Sequence, residues 1–165
     1  MSAAYDAAQW TDLFVATAGA AAALAGLLFV AISINVERIL SFKGLPERAL
    51  EALLVLVGAL VVAVLCLAPV ETDTLGWLLL VAGVVLLGTV ARLERISLPS
   101  RHDRSAKAAI GQVMLALIAT APYVVGAIAL LAEAGGGLYW VLAGVIGAIV
   151  SSAANAWVLL IEILR

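Results

Sequence analysis

The chain has 165 residues, 65% of them hydrophobic and only 12% charged, with a formal net charge of −2. A soluble domain carries about 25% charge, and so short a chain cannot wrap this much apolar surface into one core, so lipid must cover the remainder. The charge balance excludes the overall basic field that nucleic-acid binding needs. A single cysteine, Cys66, excludes an internal disulfide, and a single histidine, His102, means that any metal site would be carboxylate-based or shared between subunits.

In chain order, "MSAAYDAAQW" places no Lys or Arg ahead of the first apolar run. A secretory signal peptide has a positive leading region and a shorter apolar one, so residues 11–36 read as a retained span. "SFKGLPER" interrupts the pattern with Gly44 and Pro46, and Pro46 suits the first turn of the next helix. The second span, 48–68, stops before Pro69, and a third covers 75–92. "SLPSRHDRSAK" is the longest polar stretch. A fourth span at 107–132 and a fifth at 138–163 flank "AEAGGGLYW", with its three consecutive glycines. Backbone polar groups in lipid must pair within their own segment, so each span is expected to be helical. The predicted fold is an all-α integral membrane bundle of five transmembrane helices in a single domain.

The nine basic residues give this zigzag a direction. Arg38, Lys43 and Arg48 fall around the first loop; Arg92, Arg95, Arg101, Arg104 and Lys107 around the third; Arg165 ends the sequence. The opposite side holds Asp6, Asp12, Glu71, Asp73 and Glu133 instead. By the positive-inside rule the N-terminus is expected outside and the C-terminus in the cytoplasm. Tyr5, Trp10, Trp77, Tyr139 and Trp140 gather at the outer ends, as an interfacial aromatic belt does.

Helices associate in lipid through small residues that let backbones approach. Asp12, Ala16, Gly19, Ala23, Gly26, Val30, Ser33 and Glu37 form one such face on the first span at steps of three and four. Gly144, Ala148, Ser151, Asn155, Val158 and Glu162 form another on the fifth, and Ala108, Gln112, Ala116, Ala119, Tyr123 and Gly126 one on the fourth. Pro122, inside the fourth span, removes one helix hydrogen bond and is a candidate kink. The second span is richer in Leu and Val. These patterns predict spans one, four and five inside, with two and three against lipid.

A rise of ~1.5 Å per residue puts Ser33 and Asn35 about 33–36 Å along the first helix, and Asn155 roughly 25 Å down the last. Ser33, Asn35, Glu37, Glu51, Gln112, Asn155 and Glu162 then share an inner depth, with Arg38, Arg48 and Arg92 available to pair with the carboxylates. Two readings stay open. Helix ends turn polar on leaving lipid, where charged side chains snorkel; or these residues line a polar vestibule with Asn155, Glu162 and Asn35 at its floor. The third loop has the same duality. Arg95, Arg101, Arg104 and Lys107 are candidate contacts for anionic lipid headgroups, or only a topology signal. Cys66 reads as a small core hydrophobe and His102 as a solvated loop residue. A short echo, Glu-Arg-Ile at 37–39 and 94–96 followed by Leu-Pro at 45–46 and 98–99, hints at an internal repeat.

"LFVATAGAAAALAGLLFVAISINVERIL" and "NAWVLLIEILR" resemble an uncharacterised family of small multi-span membrane proteins from high-GC bacteria. The likeness covers about a quarter of the chain. It implies a bacterial inner-membrane protein of about five helices and adds no catalytic residues. No nucleophile is paired with a base, so no catalytic residue and no enzyme activity are expected, and no cofactor or metal either. The function read from the sequence is an accessory or assembly subunit that packs on another membrane protein through small-residue faces. The alternative is a homo-oligomeric channel or small transporter with the polar vestibule. The expected partners are the lipid bilayer and either a second copy or another membrane protein.

Overall fold

A computed structural model describes residues 3–97 and 106–164, with side chains for 3–96 and 110–161. Two 3₁₀ turns, Ala3–Tyr5 and Ala7–Trp10, lead into α1 (Thr11–Ile34), followed by the short α2 (Val36–Ser41), α3 (Leu45–Leu67), α4 (Thr72–Ser97), α5 (Ala106–Leu131) and α6 (Leu138–Leu164). Five of these helices, all but α2, are long and apolar enough to cross a membrane, the pattern of a multi-pass membrane protein.

The boundaries follow local chemistry. Gly44 takes a left-handed φ of 84°, which only a residue without Cβ adopts cheaply, and Pro46 sits in the first turn of α3. Asn35 leaves helical geometry between α1 and α2, and its amide nitrogen donates to the Ala31 carbonyl. Gly135, Gly136 and Gly137 all have positive φ and turn the chain from α5 into α6. The N-terminal turns fold over this loop: the Gly136 N–H donates to the Tyr5 hydroxyl at 3.2 Å, and Trp10 meets Tyr139 edge-on with ring centres 5.0 Å apart. These aromatics therefore pack on one another as well as standing at a helix end.

Helices α3, α4, α5 and α6 form a closed ring of neighbours, α3 on α4, α4 on α5, α5 on α6 and α6 on α3. Helix α1 lies outside the ring and rests chiefly on α3. One apolar core joins all five long helices, running from Phe14 and Ala21 through Val55, Ala59 and Val62 to Leu79, Tyr123, Val141 and Ala148. This reverses the expected arrangement for the first two spans. The second span, α3, is the hub, because Ala49, Ala52, Ala59 and Ala63 keep its girth small enough for three neighbours. The first span is peripheral. It turns Phe14, Thr17, Ala21 and Ala25 inward.

Among the long helices, the closest backbone approach at a glycine joins α5 to α6. Pro122 has no N–H to give the Ile118 carbonyl one turn earlier. Gly147 of α6 presses its backbone onto that carbonyl: a Cβ there would overlap the Ile118 oxygen and lie 2.9 Å from its carbonyl carbon. The glycine hydrogen in that direction points at the oxygen, the arrangement of the Cα–H···O contacts found between close-packed helices. A turn away, Gly144 receives the Tyr123 ring, 2.7 Å from where a Cβ would stand.

Candidate functional site

The end of the bundle that carries the α2–α3 turn holds a buried polar cluster built from three ring helices. Arg48 and Glu51 lie one turn apart near the start of α3, Glu94 near the end of α4, and Gln112 in the second turn of α5. Glu51 is 1% exposed, Gln112 4% and Glu94 7%. The Arg48 guanidinium donates to Gln112 Oε1 from Nε at 2.9 Å and also from Nη2. That turns the amide nitrogen the other way, where Gln112 Nε2 donates to Glu51 Oε2 at 3.1 Å and to Glu94 Oε1 at 2.9 Å. Both carboxyl groups accept from the same amide nitrogen, which holds them side by side. One neutral amide thus couples a cation to two acids. Hydrogen bonds to charged groups contribute about 1.5–3 kcal/mol each, and such bonds offset part of the several kcal/mol needed to desolvate each ion.

The cluster keeps unfilled capacity. Glu51 Oε1 is buried without a hydrogen-bond partner, and so are Glu47 Oε2, Asn155 Nδ2 and Ser151 Oγ. The Ser152 hydroxyl donates to the Ala52 carbonyl at 3.2 Å, which sets the register of α6 against α3. Three residues further on, about 4.5 Å by helical rise, Asn155 comes level with the segment between Arg48 and Glu51. It is 2% exposed. No three His, Cys, Asp or Glu side chains among the described residues are grouped so as to hold a metal ion.

The residues singled out from sequence therefore separate. Glu51 and Gln112 join one network, and Asn155 lies buried at the same level. Ser33 and Glu37 are exposed instead, the Ser33 hydroxyl donating back to the Phe29 carbonyl. Asn35 is half-buried in a groove otherwise lined by apolar side chains such as Leu28, Ile32, Ile39 and Leu159. The Glu162 side chain lies outside the described residues, as do Arg101, Arg104 and the Lys107 side chain, while Arg95 is exposed at the end of α4.

Glu94 escaped sequence reading because the third span was expected to end at residue 92, and "RLER" looks like loop. Helix α4 instead continues to Ser97. The signal was present: Leu79, Gly83, Leu86, Val90 and Glu94 follow steps of three and four, and all are buried. The two glutamates of the Glu-Arg-Ile echo differ in setting: Glu37 is exposed and Glu94 buried.

Gly144, Ala148 and Ser151 are buried in the ring. Gly19, Ala23 and Gly26 are not; with Ala16, Val30 and Ser33 they form an exposed stripe on α1, and a Cβ added at Gly19 or Gly26 meets nothing within 4 Å. No protein-family model, curated protein or solved structure matches the chain.

Proposed function

We propose that the chain is an accessory or assembly subunit of a bacterial inner membrane, N-terminus outside and C-terminus cytoplasmic, that packs on another membrane protein through α1 and has no catalytic role of its own. The exposed stripe of Ala16, Gly19, Ala23 and Gly26 on a helix held mainly by α3 carries this reading. Lipid offers helices little hydrophobic drive, so close backbone approach at small residues is the main source of association. The equivalent small residues of α6 are already used inside the ring; those of α1 remain available. The test is native mass spectrometry of protein extracted gently from its own membrane, wild type beside Gly19→Leu/Gly26→Leu. A different protein bound to the wild type and absent from the variant supports the reading. A monomer alone in both samples defeats it.

The buried Arg48–Gln112–Glu51–Glu94 network favours a second reading, a homo-oligomeric channel or small transporter, because charged groups inside membrane spans mark ion and substrate routes. A pure homo-oligomeric mass in the same experiment would select it.

A further inference from the structure

We propose that Glu51 and Glu94 form a proton-binding pair, one proton held between carboxyls of two helices with Gln112 as its clamp. They are the two buried carboxyls among the described residues. Arg48 fixes the amide so that both Nε2 hydrogens point at acids, one to each carboxyl. Glu51 Oε1 still lacks a donor in a buried setting, where an unmet acceptor costs about 1–3 kcal/mol. A proton on the pair is the donor that oxygen lacks. Two carboxyls sharing a site favour this state, since both cannot ionise without repulsion across the shared amide. When the proton leaves, two like charges share the one Gln112 amide nitrogen.

Access is also present. Glu94 lines a half-open groove of about 210 Å³ between α4 and α5, whose other walls include Val90, Val113 and Leu117. The pair is therefore approached from the flank of the bundle. Among the described residues, the charged or polar groups around it include Glu47 and Arg48 on α3, Arg95 beside Glu94 on α4, Gln112 on α5 and Asn155 on α6; Lys107 lies just over a turn before Gln112 and Glu162 two turns after Asn155, both with side chains outside the described residues. This assignment is independent of what packs on α1.

The full chain in phosphatidylethanolamine–phosphatidylglycerol vesicles at neutral pH is examined by infrared spectroscopy, then treated with dicyclohexylcarbodiimide, an apolar electrophile to which a protonated carboxyl adds, its proton passing to a carbodiimide nitrogen and its oxygen bonding the central carbon. The expected result is a carboxylic-acid C=O band that shifts in D₂O, is lost in Glu51→Gln/Glu94→Gln, and accompanies an adduct on the Glu51 or Glu94 peptide. A wild-type spectrum without that band overturns the proposal, whatever the variant does. So does a band of undiminished size in the double variant, or an adduct confined to other carboxyls.

Discussion

Gly147 and Gly19 look alike in sequence, each a glycine in an apolar helix, and the structure separates them by the sign of one substitution. Glycine within a helix costs about 0.5–1 kcal/mol relative to alanine. At Gly19 an added methyl meets nothing within 4 Å, so Gly19→Ala should gain roughly that amount. At Gly147 the methyl overlaps the Ile118 carbonyl and approaches its carbon to 2.9 Å. That neighbour is backbone and cannot rotate away. Overpacking of this kind costs about 1–3 kcal/mol, and displacing a Cα–H···O contact adds about 0.5–1 kcal/mol. Gly147→Ala should therefore lose about 1–3 kcal/mol net of the propensity gain. Cys66 supplies the assay, because it is 4% exposed and the chain's sole thiol. Its labelling by a maleimide across an SDS titration reports unfolding of α3 and its neighbours. Gly147→Ala should shift the midpoint to lower SDS, with Gly19→Ala level with or above wild type. Equal midpoints for Gly147→Ala and wild type would refute the α5–α6 contact. A loss for Gly19→Ala in monomeric protein would refute the exposed placement of α1.

Gln112→Leu should be among the most damaging single changes, about 3–5 kcal/mol, because it strips hydrogen bonds from buried charges on α3 and α4 together; the same SDS titration reads it, and a near-neutral result would contradict the network. Phe14 is fully buried between α1 and the ring, and Phe14→Ala should cost about 3–5 kcal/mol. Since α1 packs chiefly on α3, hydrogen exchange should rise in α1 ahead of α5 and α6; uniform exchange across the chain would count against a peripheral α1. Lys43→Cys and Glu133→Cys test the proposed orientation with impermeant maleimide on intact cells, where Glu133→Cys should label and Lys43→Cys should require permeabilisation. The reverse pattern would invert the topology.

The five long helices were legible because each is a long, nearly uninterrupted apolar run and because Gly44, Pro46, Pro69 and the 135–137 glycines mark their ends. Their arrangement was not. A small-residue stripe states that a helix surface permits close approach, and says nothing about whether a neighbour takes the offer. The α6 stripe is filled by Tyr123 and α5; the α1 stripe stays open. The site was half legible. Glu51 and Gln112 stood out as polar groups within apolar runs, whereas Glu94 was hidden by the flanking arginines that made its segment look like a loop.

Composition and hydropathy pattern by themselves determined that this is an all-helical chain with five helices long and apolar enough to cross a membrane, since hydropathy and segment length act locally and need no knowledge of neighbours. Only the tertiary structure decided that α3 is the hub and α1 the outlier, and that residues 48, 51, 94 and 112 meet. Those outcomes depend on which faces of separate helices come together, a choice made by packing between segments far apart in the chain.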